Sequence, residues 1–292
     1  MTTATEAKSG KGHKDENFPV ASHLISPRHR GPILAFYRFV RAADDVADHP
    51  TLSPDEKLRM LDGLEAALTG NGPADQEAEP LRLALAERGL SPRHAQDLLE
   101  AFRQDARKTR YSDWDELIGY CSLSAMPVGR FVLDVHGEDR RTWTASDALC
   151  AALQVINHLQ DCGKDFRSID RVYLPSETLA RHGARVEELG AAQASPALLA
   201  VIRELNESCA ELLRGSSVFP VVIADARLAL EVAVIHSLAE SLVGKLRTRD
   251  PLSDRVHATK PEALVAAGSG IGRTLFQRLG GGRKRAQARL AG

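Results

Sequence analysis

The sequence is poor in aromatic residues, in cysteine and in net charge, and each shortage excludes a class of protein. Aromatics make up 5% of the 292 residues, whereas alanine and leucine supply most of the 43% hydrophobic content, which favours helices over strands. The formal net charge of −1 gives no global attraction to nucleic acid, so no nucleic-acid partner is expected. The four cysteines stand singly without a CxxC pair, which disfavours a disulfide framework or a zinc site and fits a reducing cytosol.

Long hydrophobic runs are also missing. The first sixteen residues are mostly polar or charged, and the most apolar stretch, 221–235, is interrupted by Asp225, Arg227 and Glu231. A secretory signal needs an apolar segment behind a basic start, and a spanning helix needs about 20 mainly apolar residues. We therefore expect neither a signal peptide nor a spanning helix, and we predict a cytoplasmic protein.

Helical periodicity covers most of the chain. Apolar residues recur at helical spacing from Pro32 to Asp48, and no alternation typical of strands competes elsewhere. Further helices are predicted over 55–68, 81–88, 92–108, 114–135, 146–163, 196–213 and 220–247. We predict a disordered leader over 1–15, with structure beginning near Phe18, a single all-α domain over 16–270 and a basic tail over 271–292.

The tail combines basic and apolar side chains. Its relevant residues are Arg273, Phe276, Arg278, Leu279, Arg283, Lys284, Arg285 and Arg289, with a Gly-Gly-Gly break between the two halves. One interpretation is a solvated, partly disordered tail. The other is weak peripheral attachment to an anionic surface at the inner face of the membrane, which would suit a greasy substrate.

Two of the predicted helices each carry a stripe of oxygen-bearing side chains. Asp44 and Asp48 are four residues apart, so both carboxylates lie on one helical face. On the other helix, Asn157, Asp161 and Asp165 follow one another at steps of four. Both stripes lie among apolar residues, where two carboxylates about 6 Å apart repel by roughly 3 kcal/mol at an effective dielectric of 20. A positive group is therefore expected to compensate them.

Magnesium is the natural candidate for that compensating charge. It prefers carboxylate and water oxygens, and it is commonly held by one or two carboxylates together with the phosphates of a substrate. A diphosphate would then supply the remaining ligands. A di-iron carboxylate bundle is the alternative metal site, but such sites use glutamates with a Glu-x-x-His pair, and no such pair accompanies either stripe.

Four motifs in order resemble the squalene/phytoene synthase family. They are FYRFVRAADDVAD (36–48), YCSLSAMPVG (120–129), LQVINHLQDCGKD (153–165) and RVYLP (171–175). The resemblance implies an all-α isoprenoid-synthase bundle in which two aspartate-rich motifs face each other across a central apolar cavity. It also implies a Mg²⁺-dependent enzyme that ionises a prenyl diphosphate.

Details of the sequence are similar to one branch of this family, the hydroxysqualene synthases of hopanoid biosynthesis. The matching segments are ENFPVAS (16–22), SAMPVGR (124–130), NHLQD (157–161) and RDPLSDRV (249–256). This likeness implies that presqualene diphosphate is ionised and that water captures the carbocation, giving hydroxysqualene and diphosphate. Two alternatives stay open: a synthase that condenses two farnesyl or geranylgeranyl diphosphates to presqualene diphosphate, squalene or phytoene, and an inactive helical assembly factor.

The resemblance also assigns roles to single residues. The metal-binding and catalytic set comprises Asp44, Asp48, Asn157, Asp161 and Asp165. The substrate-binding set comprises Tyr37, Arg41, Gln154, Arg255 and Tyr120. The attacking water could be held at any of four polar positions, between which the sequence does not select: Tyr120, Ser124, Gln154 and Asn157. One departure is Gln160, where many relatives have an arginine, and another is Leu238, near a position where some condensing relatives have a tyrosine. Loss of that arginine removes a fixed bidentate donor and disfavours binding of a second diphosphate substrate.

Overall fold

A computed structural model describes residues 25–279, and the regular secondary structure of that range consists of helices joined by loops and turns. The helices are α1 (Pro27–Ala47), α2 (Pro54–Thr69), α3 (Ala78–Arg88), α4 (Arg93–Asp105), α5 (Trp114–Ser124), α6 (Met126–His136), α7 (Trp143–Ile169), α8 (Ser176–His182), α9 (Pro196–Gly215), α10 (Phe219–Val222), α11 (Ala226–Leu246) and α12 (Lys260–Leu279). The one β-type pairing within the described range is an isolated parallel bridge between Arg110 and Val172. The prediction of an all-α fold is confirmed.

The described residues form two compact units. The first contains 25–108 and 123–138, and the second contains 109–122 and 139–279. The predicted leader and the start near Phe18 lie outside the described residues, as does the part of the tail beyond residue 279. The bounds of the predicted single domain stay a prediction.

The core of the first unit forms where α1 packs on α3, α4 and α6. The rings of Phe36 and Phe131 stack with centroids 4.0 Å apart and planes 10° apart, and Phe39 is fully buried. Stacked aromatic pairs contribute to stability beyond the area they bury. Core packing is therefore the role of these three phenylalanines, and it leaves the other face of α1 to polar side chains.

In the second unit, α7 packs against α9 and α11, and α11 packs against α12. Val155, Ile156 and Leu159 of α7 are buried. The amide of Asn206 in α9 donates to the carbonyl oxygen of Val243 in α11 at 3.0 Å, which fixes these two helices to each other. The inner side of α7 is thus apolar and leaves a polar stripe on its other side.

Two segments that were each predicted as one continuous helix are broken in the structure. The helix predicted over 114–135 is two helices, because Pro127 occupies the first turn of α6 and cannot donate a backbone hydrogen bond within a longer helix. The helix predicted over 220–247 is also broken, since the carboxylate of Asp225 accepts from the backbone N–H groups of residues 227 and 228 and so starts α11. The helices α8 and α12 were not predicted.

Across residues 25–279, none of the helices is both long and apolar enough to cross a bilayer.

Candidate active site

The first acidic stripe lies on α1, where Pro32 is tolerated inside the helix and Phe36 and Phe39 turn towards the core. The Arg41 guanidinium joins two carboxylates: Nη1 lies 2.7 Å from Oδ2 of Asp44, and Nη2 lies 2.9 Å from Oδ1 of Asp45. Asp45 is buried, whereas 32% of the Asp44 side chain is exposed. Arg41 therefore anchors a buried carboxylate and leaves Asp44 with an open side.

The electrostatics of this stripe are unfavourable for an isolated carboxylate. The pKa of Asp44 is raised to about 7, chiefly by burial and next by the negative charge of Asp48. Asp105 and Asp45 act in the same direction, and Arg41 opposes them. Acceptor oxygens are thus in excess here, and Asp44 ionises with difficulty. A bound cation would therefore stabilise this site.

Asp105 is a site residue that the sequence interpretation missed. It is buried at the end of α4, and its charge reaches Asp44 although the two residues are 61 positions apart in the chain. A single aspartate at helical spacing among apolar residues gives no distinctive signal. Its contribution becomes visible only once α1 and α4 are packed together.

The second stripe lies on α7, in the other unit. Gln154, Asn157, Asp161 and Asp165 are half-buried, and the Lys164 ammonium lies 3.7 Å from the Asp161 carboxylate. The helix continues to Ile169, well beyond the predicted end at 163, so Asp165 is held on regular helix rather than on a loop. All these side chains offer oxygen atoms, as a hard divalent cation requires.

An aromatic cluster supports α7 behind this stripe. The imidazole of His158 stacks on Tyr173 with ring centroids 3.4 Å apart, and Tyr120 is buried beside them with its hydroxyl 3.5 Å from that of Tyr173. Tyr111 completes the group. Burial, together with the positive charge of Arg171, lowers the pKa of His158 to about 3. His158 is therefore a neutral packing residue, and Tyr120 lies in this cluster.

Gln160 has a structural task that its sequence position did not reveal. The buried amide of Gln160 donates a hydrogen bond to the carbonyl oxygen of Val256, next to the exposed Arg255. Lys245 binds the same loop by donating to the carbonyl oxygen of His257 at 2.8 Å. Asp161 and Arg255 both act on the pKa of His257, which is lowered chiefly by burial, so the loop lies within electrostatic reach of the second stripe. Gln160 thus fixes the segment that carries Arg255.

Comparison with known proteins agrees with these motifs. The family model described as squalene/phytoene synthase matches residues 11–262. The chain belongs to the squalene/phytoene synthase family. It is 59% identical to the hydroxysqualene synthase of Rhodopseudomonas palustris over 91% of both chains, and 51% identical to that of Zymomonas mobilis over 89% of this chain and 88% of the relative.

Solved structures of this family show the same fold. The squalene synthase HpnC from Alicyclobacillus acidocaldarius is 29% identical, with a TM-score of 0.70 over 78% of this chain and 86% of that one. A dehydrosqualene synthase at 22% identity has a TM-score of 0.77 over 89% of this chain and 92% of that one, which supports the fold alone. This member of the squalene/phytoene synthase family is therefore an enzyme with an all-α isoprenoid-synthase fold.

The tether formed by Gln160 gives a testable prediction. Gln160→Leu leaves the buried carbonyl group of Val256 without its donor, so we expect the free energy of unfolding to fall by about 1–3 kcal/mol. Arg255, an expected diphosphate-binding residue, is next to Val256 in this loop and would move with it. We therefore expect KM for a prenyl diphosphate to rise more than kcat falls. Gln96→Leu, which removes a partly exposed hydrogen bond to Glu65, is the matched control and should change neither quantity appreciably. An unchanged KM in Gln160→Leu would contradict the tether.

The neutral imidazole of His158 predicts a pH dependence of stability. Its pKa is lower in the folded chain, so the unfolded chain takes up a proton first, and stability present above pH 6.5 is lost as the pH falls towards 3. His158→Phe keeps the ring stacking and removes this proton. We expect urea unfolding between about pH 7 and 5 to show a slope shallower by up to about 1.4 kcal/mol per pH unit in the variant. Equal slopes would show that His158 titrates normally.

Proposed function

We propose that this enzyme is a hydroxysqualene synthase, which converts presqualene diphosphate and water to hydroxysqualene and diphosphate in hopanoid biosynthesis. The observation that carries the proposal is the 51–59% identity to three hydroxysqualene synthases over about nine-tenths of the chain. Phytoene synthases are only 31–32% identical over 58–60% of it. The two oxygen-rich stripes on α1 and α7 are the features that suit such a substrate.

Magnesium is part of the proposal, and the donors present fit it. The carboxylates Asp44, Asp48, Asp161 and Asp165, with the amide oxygen of Asn157, would hold the ions. The raised pKa of Asp44 indicates that its stripe lacks a positive charge that Arg41 alone does not supply. When bound, Mg²⁺ neutralises charge that develops on the diphosphate as the carbon–oxygen bond breaks.

The side chains of this enzyme have separate tasks in the proposed reaction. Arg41 and Arg255 would donate charge-assisted hydrogen bonds to diphosphate oxygens, and Tyr37 and Gln154 would orient the same group. The aspartates act as ligands and not as general bases. A chamber lined by apolar helix faces would protect the carbocation until one water molecule adds. Over the whole reaction the carbon–oxygen bond to diphosphate breaks first, and a carbon–oxygen bond to water then forms at the carbocation while one proton leaves the water for solvent, so no reductant is consumed.

The proposed reaction needs both stripes to face one chamber. The two stripes lie in different units, and their convergence is part of the proposal. Its support is chemical: each stripe is a half-buried set of oxygen donors on a helix whose other side is committed to a core. Residues of both stripes would hold Mg²⁺ ions, and these ions would supply positive charge to the diphosphate.

The reaction can be tested with purified full-length enzyme and presqualene diphosphate in ¹⁸O-labelled water. We expect hydroxysqualene that carries one labelled oxygen, with release of diphosphate, dependence on Mg²⁺ and no effect of NADPH. Farnesyl diphosphate alone should yield no product. Formation of presqualene diphosphate from farnesyl diphosphate would instead identify a condensing synthase, and an absence of turnover with every diphosphate would favour the assembly factor.

A second proposal concerns location. We infer that the enzyme is cytoplasmic and that its basic carboxy-terminal tail makes peripheral contact with the inner face of the membrane. Support comes from the four cations Arg283, Lys284, Arg285 and Arg289, which follow α12 directly. Basic residues near an anionic surface each contribute about 1 kcal/mol of attraction.

A further inference from the structure

The helix α12 exposes an unusual amount of apolar surface. Seven large hydrophobic side chains are exposed among residues 25–279, and five of them lie on this one helix. They are Leu264, Val265, Leu275, Phe276 and Leu279, and the last two are 81% and 88% exposed. Single exposed apolar residues are ordinary, but a cluster of five on one element marks an interaction surface.

These side chains form one continuous stripe, here called the α12 face. At about 100° per residue, all five lie within roughly one third of the helix circumference, together with Gly268 and Gly272. An alanine-sized side chain at either glycine would meet nothing within 4 Å, so the centre of the stripe is open. From Leu264 to Leu279 the stripe is about 22 Å long.

The opposite side of α12 is already occupied. Ala266, Gly270 and Thr274 are its buried residues and follow at steps of four, about 180° from the centre of the α12 face. A Cβ atom at Gly270 would lie only 2.4 Å from the carbonyl oxygen of Ala233 in α11. Since α12 is anchored by this side, the α12 face cannot turn inward to bury itself on α11.

The net charge of residues 263–292 indicates which kind of partner the α12 face would bind. Residues 263–292 contain six arginine or lysine residues and no aspartate or glutamate, so residues 1–262 carry the remaining formal charge of −7. Within α12, Arg273 is bound to Glu240 at 2.8 Å and Arg278 donates to the carbonyl oxygen of Ile223 at 3.0 Å. The two arginines border the apolar stripe on opposite sides, as in helices that lie in a lipid interface.

We propose that the α12 face docks on an anionic lipid surface, with its apolar side chains inserted at the level of the headgroups. This inference deepens the proposed membrane contact of the tail and does not depend on the reaction. A second copy of the chain fits less well, because two copies with the same basic sequence over 263–292, which contains no acidic residue, would repel each other. An anionic bilayer attracts the same charges and accepts the apolar stripe.

The test is co-sedimentation of the full chain with vesicles of phosphatidylcholine, with and without phosphatidylglycerol. The anionic vesicles should bind the protein, and Phe276→Ser/Leu279→Ser should lower the partition coefficient at least about tenfold. Leu83→Ser, which removes an exposed leucine of α3, should leave binding unchanged. Phe276→Leu/Leu279→Ile keeps both side chains apolar and should bind the anionic vesicles nearly as well as wild type. This variant separates the effect of losing apolar side chains from the effect of unfolding α12.

Three outcomes would overturn the proposal. The serine variant could bind as wild type while removal of 280–292 abolishes binding, which would leave the tail alone as the contact. Sedimentation could show a dimer that the serine variant disrupts, which would assign the α12 face to a second copy. Absence of binding to either vesicle would exclude a lipid surface altogether. Turnover in detergent is expected to be unchanged in the serine variant, so failure of the proposed reaction would be seen separately.

Discussion

Asp161→Asn and Asp48→Asn are each expected to lower kcat for presqualene diphosphate by about 10³-fold, because each would remove a charged ligand from the proposed Mg²⁺ site, which would stabilise several kcal/mol of developing charge. The amide has nearly the same shape as the carboxylate, so the fold should be retained. Neither residue supports the core, since Asp48 is exposed and Asp161 is half-buried. Single-turnover measurements and thermal unfolding would check both statements.

The matched control is Asp147→Asn, which makes the same change on α7 about 21 Å before Asp161 along the helix. Its kcat should stay close to wild type. A double variant, Asp48→Asn/Asp161→Asn, tests whether the two stripes serve one diphosphate. If they do, the losses should be clearly less than additive, because one missing side already leaves the leaving group unsupported. Fully additive losses would indicate two independent sites.

Arg41→Met is expected to reduce the free energy of unfolding by about 3 kcal/mol, at the lower end of the cost of breaking a buried ion pair, since 21% of the Arg41 side chain is exposed. The change leaves the buried Asp45 without its guanidinium partner. It also removes a positive charge that lowers the pKa of Asp44 and so opposes the groups that raise it. Chemical denaturation at neutral pH measures the loss, and Mg²⁺ should restore part of it by replacing the missing charge.

Two further variants test this account of Arg41. Arg38→Met removes an exposed arginine one turn earlier on the same helix and should change stability by less than about 0.5 kcal/mol. Asp45→Asn in the Arg41→Met background should recover stability, because the buried side chain is then neutral. If the double variant is as unstable as Arg41→Met alone, the loss comes from packing of the arginine stem and not from an unpaired charge.

The long amphipathic helices α1, α7 and α9 could be predicted from the sequence, because each has apolar residues at helical spacing along the face that is buried. Prediction failed where a local signal competed with the pattern. Pro127 and Asp225 start new helices inside apolar runs that look continuous. The three glycines at 268, 270 and 272 gave α12 a poor helical propensity, yet α12 forms because Gly270 allows close contact with α11.

The residues of the candidate site divide in the same way, into those that a local sequence pattern predicts and those that only the structure shows. Spacing predicted that the carboxylates of each stripe share one helical face, since four residues make about one turn of helix. The contribution of Asp105 could not, because it depends on how α4 packs on α1. The tether from Gln160 to Val256 joins residues 96 positions apart, and no pattern in one sequence encodes such a pairing. Roles that depend on tertiary packing therefore require the structure.

The close contact at Gly270 has a consequence for variation in this protein. With the backbone of α11 directly against this position, even a methyl group would push the two helices apart or rotate α12 about its axis. Substitutions here should therefore be tolerated far less than at Gly268 or Gly272, where the surroundings are open. A saturation library would thus separate three glycines of similar local sequence into one fixed position and two permissive ones.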